Sequence, residues 1–430
     1  MNHKTKSIPV VVALLLIANI ASADDKLTAY RVVLDSPGGE LPFLLYVGQL
    51  PGGEPGEMAG YIDNGEERFQ VSELRTEGRR IILTIDHYDS RLELNAEKAA
   101  GPDDGWLPVP AKGHWRKVTG DRKSARLNCT LTASPGYRFE PLTDVKTDDT
   151  LPASVDGRWS TLFGDDKTPA IGAFKQLPDG TVHGTFLTTT GDFRYLAGCY
   201  QAGRLRMSAF DGGHAFLFDA TMQPDGTLKG DFWSRDSWHE TWTAKRDETA
   251  TLPDGFEMVD TKKKFDLSSM KYRDLDGEMV ALTDPKFKGP ARIVEIFGTW
   301  CPNCHDASHH LNELQEKYGP RGLRIVSLAF EISGDVERDT EQIHRFIKRN
   351  DVKYPILLGG ISDKEVVAKV VPLINKLKSF PTMIFIDGND HVRAVYSGYN
   401  GPATGDANKE MVKAIDALIE KLLAEGGTNG

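Results

Sequence analysis

Cys301-Pro302-Asn303-Cys304 is the segment of this chain whose residue types and spacing point most directly at chemistry. Two cysteines at this spacing can close into a disulfide and reopen, moving two electrons per cycle with no cofactor. If the pair opens a helix, the unpaired backbone N–H groups and the helix dipole favour an anion on the first sulfur. Cys301 is then the solvent-reachable thiol that attacks a substrate disulfide, and Cys304, one turn on and more buried, resolves the mixed disulfide. Two further residues fit. Glu295 stands six positions before Cys301 in an otherwise apolar run, where burial would raise its pKa toward the range needed to exchange a proton with Cys304. Pro381, in Ser379-Phe380-Pro381-Thr382, opens a later apolar run, and a cis proline there would set backbone groups opposite the cysteines to pair with an extended substrate. The plainer readings are a strand-edge glutamate reaching water and a trans loop proline.

Three other chemistries share these residues. Cys301-Pro302-Asn303-Cys304-His305 matches the Cys-x-x-Cys-His signature of haem attachment, but a helix that buries Cys304 leaves no haem-sized pocket around it. Structural zinc needs two more ligands, and His309 and His310 bring no second Cys-x-x-Cys. A peroxidase motif, Pro-x-x-x-Thr-x-x-Cys, is only partly echoed, since Thr299 stands two residues before Cys301 rather than three and the proline is Pro290. Dithiol–disulfide exchange on protein substrates is therefore expected, with no cofactor and no metal. A non-enzymatic binding protein acting through the N-terminal half is the alternative from a different class.

The elements that must position the pair alternate between strand and helix. Ile293 to Phe297 is an apolar run broken by one acid, which suits a buried central strand. Helical spacing follows at Ala307, Leu311, Leu314 and Tyr318, and Leu323 to Phe330 reads as a second buried strand. Ile343, Phe346 and Ile347 mark another helix. Thr382 to Ile386 and Val392 to Tyr396 flank Asp387-Gly388-Asn389-Asp390 as a hairpin, and Met411, Ile415, Leu418, Ile419 and Leu422 mark a terminal helix. This β-α-β then β-β-α order predicts an α/β thioredoxin-like domain over residues 265–430.

The N-terminal half has a different character, so the chain is multidomain. Strand-like runs at Arg31 to Leu34, Arg80 to Ile85, Ala170 to Phe174 and Ala215 to Phe218 are separated by Pro-Gly, Asp-Gly, Asn-Gly and Gly-Gly turns. That pattern is all-β, a barrel or sandwich. It is also internally repeated. Gln49-Leu50-Pro51 matches Gln176-Leu177-Pro178, Glu77-Gly78-Arg79-Arg80-Ile81-Ile82 matches Ala202-Gly203-Arg204-Leu205-Arg206-Met207, and Gly113-His114-Trp115-Arg116 stands where Trp238 to Trp242 does. The copies are residues 24–150 and 151–246. Trp233, Trp238 and Trp242, with His214 and His239, could line a ligand or partner cleft, although such residues more often fill a β core and its rim. Residues 247–264, polar and carrying Lys262-Lys263-Lys264, read as a linker. Few apolar contacts should then tie the halves together, and the β-rich half is expected to be an independently folded docking module.

Residues 1–23 read as a signal peptide: His3, Lys4 and Lys6 precede an apolar stretch from Ile8 to Ile20, and Ala21-Ser22-Ala23 offers the cleavage site. The expected location is the periplasm, with an uncleaved anchor as the alternative. No second run of about 20 apolar residues appears, so no stable membrane insertion is expected. With 430 residues, 40% of them apolar, two or three domains are expected, and a net charge of −10 argues against a nucleic-acid partner. Four cysteines are too few to staple a chain of this size, so a close pair in an oxidising compartment needs a specific reason. Cys129 and Cys199 are either one structural bridge or two buried thiols.

The segment from Phe265 to Ala424 resembles the thioredoxin-like thiol:disulfide oxidoreductases of the TlpA-like or ResA-like family, typified by proteins of cytochrome c maturation. The resemblance rests on Phe297-Gly298-Thr299-Trp300-Cys301-Pro302-Asn303-Cys304, on Phe380-Pro381-Thr382, and on an added segment from Glu331 to Pro372 between the central strands. It implies that Cys301, Cys304, Glu295 and Pro381 hold the family's two cysteines, acid and cis-proline. Many relatives place the acid elsewhere, which makes Glu331 a rival for Glu295. The resemblance further implies a reductant recharged by a membrane electron donor.

Overall fold

Short connections decide the architecture of the N-terminal half. Almost every strand there is joined to the next by a turn too brief for a crossover, so successive strands pair antiparallel. In the computed structural model, which describes residues 27–99, 101, 105–143, 151–259 and 267–426, this produces two closed meanders. The first runs through Thr28–Ser36, Gly39–Gln49, Met58–Asp63, Arg68–Gln70, Glu73–Glu77, Arg80–Ile85, Ser90–Ala96, Ala111–Gly120 and Lys123–Ala133. Its first strand pairs with both the second and the last, with Leu34 opposite Leu41 and Cys129. Arg68–Gln70 and Glu73–Glu77 are two halves of one bent strand. Between them Val71 N donates to Gly60 O and Ser72 N to Thr84 O, which closes the barrel.

The second barrel runs from Gly157–Phe163 to Trp238–Arg246, and its first and last strands pair through Trp159 to Phe163. The copies correspond strand for strand at two of the three matched segments. Gln-Leu-Pro ends the second strand of each barrel, and the Gly78-Arg79 and Ala202-Gly203 turns each open the fifth. The third match fails. Trp115 lies on the seventh strand of its barrel and Trp242 on the eighth, so these tryptophans are not equivalent although both are buried. A tryptophan filling a barrel interior is chosen by volume, which several strands can supply.

The barrels are joined through their cores. Phe210 of the second barrel stacks on Phe43 at 4.4 Å and meets Trp115 edge-on at 5.5 Å. Asn64 clamps its backbone, donating to Phe210 O at 3.0 Å and accepting from Phe210 N at 3.1 Å. Arg138, half-buried between the barrels, donates to Pro42 O, Ser208 Oγ and Asp63 O.

The C-terminal domain is one seven-stranded sheet built on β1 (Lys271–Arg273), β2 (Met279–Ala281), β3 (Ala291–Phe297), β4 (Leu323–Glu331), β5 (Ile356–Ile361), β6 (Thr382–Asp387) and β7 (Val392–Ser397), in the order β2-β1-β5-β4-β3-β6-β7. β3 and β4 are parallel and joined by helix α1 (Pro302–Tyr318), while β6 runs antiparallel to β3 and pairs with β7. Helices α2 (Val336–Asn350), α3 (Lys364–Val370) and α4 (Asp406–Gly426) complete the thioredoxin-like layers. All seven residues of β3 are buried, as a central strand covered on both faces requires. Among the described residues no helix is long and apolar enough to cross a membrane. The expected signal peptide and Lys262 to Lys264 lie outside the described residues.

The expectation of loosely tethered halves is corrected. Part of the polar segment after Arg246 is itself anchored, with Phe256 packing on Tyr396 at 4.8 Å and on Phe385 at 6.0 Å. The first barrel meets α2 through Gln342, which donates to His87 O at 2.6 Å, and through Asp89, which pairs with Arg338 and Arg345. Tyr88 packs edge-on against His305 at 4.8 Å. The second barrel reaches the C-terminal domain through Asp192, which accepts from Gly401 N, and Arg194. These contacts come from strand ends and turns, where hydrophobic periodicity carries no signal.

Candidate active site

β3 ends at Phe297, and Gly298-Thr299-Trp300 turns the chain into α1. Cys301 is the N-cap of that helix, with extended backbone angles of φ −101° and ψ 111°, and Pro302 occupies the first helical position, where its missing N–H costs nothing. Cys301 N donates to Gly298 O at 3.1 Å and Cys304 N to Cys301 O at 3.0 Å, which places the second sulfur one turn in and behind the first. Both are free thiols. Cys304 is fully buried, and the expectation of a solvent-reachable Cys301 is corrected, since only 7% of that residue is exposed. Cys301 packs with Phe297 and Cys304 and lies beside Phe380. A Cβ added at Gly213 would lie 2.7 Å from Pro302, and one at Gly191 would lie 3.1 Å from the Asn303 amide, so these turns lie directly on the dipeptide between the cysteines. The Phe380–Pro381 bond is cis, and the Cys301 thiol lies 3.6 Å from Phe380 O.

Two buried acids flank the pair in different surroundings. Glu295, in β3, accepts from Ser327 Oγ at 2.5 Å through one oxygen, while its other oxygen is buried without a hydrogen-bond partner. Burial pushes its pKa up to about 8. Burial also raises the Cys304 thiol well above its ordinary value, helped by its hydrogen bond to Cys301 and by the charges of Cys301 and Glu295. Glu331, at the end of β4, instead accepts from Thr299 N at 2.9 Å and Thr299 Oγ1 at 2.7 Å, and burial raises its pKa to about 7. It braces the turn before Trp300. Glu331→Gln keeps one acceptor for Thr299 N, so it should cost only about 1 kcal/mol of stability and slow exchange by less than about threefold. A slowing as large as that produced by Glu295→Gln, measured by stopped-flow, would transfer the proton-exchange role to Glu331.

Other sequence candidates are dispersed. Trp242 is buried in the second barrel, Trp233 stacks on His239 at 5.2 Å beside the first barrel, and Trp238 is exposed. They form no common cleft. His214 stacks on Phe216 and pairs with Asp211 at 3.2 Å. Cys129 and Cys199 are free thiols on different barrels, not a bridge. His305 has both ring nitrogens engaged, Nε2 with Thr299 O at 3.0 Å and Nδ1 with the Asn350 side chain, so neither is offered to a metal or haem. Burial and the neighbouring His87 hold its pKa well below the usual value.

Three residues near the pair had no sequence signal. Lys117 of the first barrel is buried, donates to Tyr88 O at 3.1 Å and is within electrostatic range of Cys301; burial lowers its pKa to about 8. Tyr354, buried, is within electrostatic range of both Glu295 and Cys304. Arg194 donates to Pro302 O at 3.1 Å. None belongs to a motif, because what brings each one close is packing between segments far apart in sequence.

Known proteins match the C-terminal part of the chain. The family model described as Redoxin matches residues 259–417. The chain is similar to the thiol-disulfide oxidoreductase ResA of Bacillus thuringiensis subsp. konkukian, 28% identical over 142 residues, covering 33% of this chain and 72% of that protein. It is similar also to ResA of Halalkalibacterium halodurans, 24% identical over 149 residues, covering 34% and 71%. Among solved structures, a thiol:disulfide interchange protein DsbE from Chlorobium tepidum aligns with a TM-score of 0.30 and 19% identity, covering 38% of this chain and 99% of that one. StoA from Bacillus subtilis aligns with a TM-score of 0.24 and 16% identity, covering 33% and 92%. With the cysteine pair, the buried acid and the proline loop placed as described, the C-terminal part of the chain matches the Redoxin family model and is similar to the thiol-disulfide oxidoreductases ResA, which supports an oxidoreductase.

Proposed function

We propose that this protein is exported to the periplasm and reduces disulfides in protein substrates through Cys301 and Cys304, drawing electrons from a membrane donor. The observation that carries the reading is the convergence of three parts on Cys301 and Cys304. Cys301 caps a helix beside the carbonyl that precedes cis Pro381, Cys304 lies behind it, and Glu295 lies within electrostatic range of Cys304. The Cys301 thiolate attacks one substrate sulfur, forming a mixed disulfide and releasing the other sulfur as a thiolate. Glu295, as carboxylate, takes the Cys304 proton; Cys304 then attacks the Cys301 sulfur, the second substrate thiolate leaves, and the Cys301–Cys304 disulfide remains. The Phe380–Pro381 backbone orients the substrate strand. Thr299 supports exchange over peroxide chemistry, because its hydroxyl is already committed to Glu331.

Equilibration in glutathione buffers tests the direction. A reductant should show a Cys301/Cys304 potential below about −200 mV, toward the thioredoxin end of the range. A value near −120 mV would make the protein an oxidant.

A further inference from the structure

Arg194 touches all three parts of the molecule. It belongs to the second barrel, in the turn after Gly191–Asp192, and holds a left-handed backbone at φ 54°, a conformation few residues other than glycine adopt. Asp192 stabilises that turn, accepting from Arg194 N at 2.6 Å through one oxygen and from Gly401 N through the other. The guanidinium lies 2.5 Å from Glu67 of the first barrel and 2.5 Å from Asp306 of α1, with Asp211 at 3.7 Å, and it donates to the Pro302 carbonyl at 3.1 Å. Arg194 and Asp306 side chains are each 11% exposed.

We infer that Arg194 is a positioning residue for the exchange reaction: delivered by the second barrel, it binds the first carbonyl of the active-site helix and neutralises Asp306, holding the helix start in the state that favours a thiolate at Cys301. The inference rests on the reading of Cys301 as the attacking thiol.

The physical reason is charge placement. A helix N-terminus favours an anion, and Cys301 occupies that end. Asp306, about one turn further on, adds a buried carboxylate to the same helix, and its negative charge opposes a second anion nearby. Arg194 cancels it. The other titratable groups around the guanidinium are Asp192, Glu67, Asp211 with its partner His214, Tyr88 of the first barrel and His305 of α1, so the cluster is acid-rich and depends on this cation. On the thiol side stand Cys304 and Lys117, whose lysine charge acts in the same direction as Arg194. An ion pair placed for stability alone gains little, because desolvation offsets the attraction. One bound to the peptide that follows the nucleophile also places a positive charge at the start of its helix.

The test is alkylation of the reduced full-length protein by iodoacetamide, followed for the Cys301 peptide across a range of pH, with thermal melting measured in parallel. Arg194→Met should move the Cys301 profile up by about one pH unit and slow labelling about tenfold at neutral pH. Asp306→Asn should move it in the opposite direction. If both variants change the melting temperature while the Cys301 profile stays in place, Arg194 is a structural ion pair and the inference is wrong. If Arg194→Met does not fold, Asp306→Asn decides: a downward shift supports the inference, and an unchanged or upward profile overturns it. Faster labelling of Cys304 than of Cys301 in the unmodified protein would instead overturn the assignment of the attacking thiol, whatever Arg194 does.

Discussion

Cys304→Ser is expected to stop turnover and leave the protein joined to its substrate. With the resolving thiol gone, Cys301 can still attack, but the mixed disulfide has no internal exit. Multiple-turnover reduction of a protein disulfide should fall at least ~10³-fold, equivalent to about 4 kcal/mol, and a covalent adduct should appear on non-reducing gels. The remaining cysteines offer no rescue. Cys129 is buried in the first barrel, with its pKa pushed up to about 12 by burial, and Cys199 lies on the second. Accumulation of the adduct in Cys301→Ser, and not in Cys304→Ser, would reverse the two roles.

Glu295→Gln is expected to slow the resolving step by about 10²-fold near pH 8 and by less as the pH falls. Glu295 can accept the Cys304 proton only as a carboxylate, and burial sets its pKa at about 8, so the unmodified protein gains resolving rate as pH rises through that value. Stopped-flow measurement of the resolving rate against pH should show that rise flattened in the variant. A parallel profile would remove Glu295 from the proton transfer. Stability supplies a second readout with its own sign. The folded pKa lies above the ordinary 4.5, so the folded state holds a proton that the unfolded state releases. The associated stability is fully present below about pH 4.5 and is lost as pH rises through about 8, on the order of a few kcal/mol. Denaturant titrations should show that loss reduced in Glu295→Gln, with the residue that remains partly due to Glu331, whose raised pKa has the same sign.

Legibility differed from residue to residue for identifiable reasons. Cys301, Cys304 and the cis bond before Pro381 belong to short local patterns, and the strand and helix that carry them follow from apolar periodicity. The two β copies were legible at hairpin turns, because turn chemistry is local. They were not legible at Trp115 and Trp242, where one large side chain fills a barrel from either of two strands. The choice between Glu295 and Glu331 depended on what each carboxylate faces. Both sit in buried strands, but one is within electrostatic range of Cys304 and the other is bonded to Thr299.

The sequence by itself determined the Cys-x-x-Cys pair, its place at a helix start, the α/β order of the C-terminal domain and the repeated all-β character of the rest. Each of these is set by contacts within about twenty residues, or by the period at which apolar side chains recur. Only the tertiary structure decided that the β-rich half is two closed barrels sharing a core through Phe210, and that their turns cover the dipeptide between the cysteines. The same holds for the buried charges of Arg194, brought to Pro302, and Lys117, brought within electrostatic range of Cys301. Those contacts join residues far apart in the sequence, from 89 positions for Gly213 and Pro302 upward. A polar or charged side chain in a turn carries no mark of the partner it will meet, because that pairing is fixed by how whole domains pack and by the need of each buried charge for an opposite one.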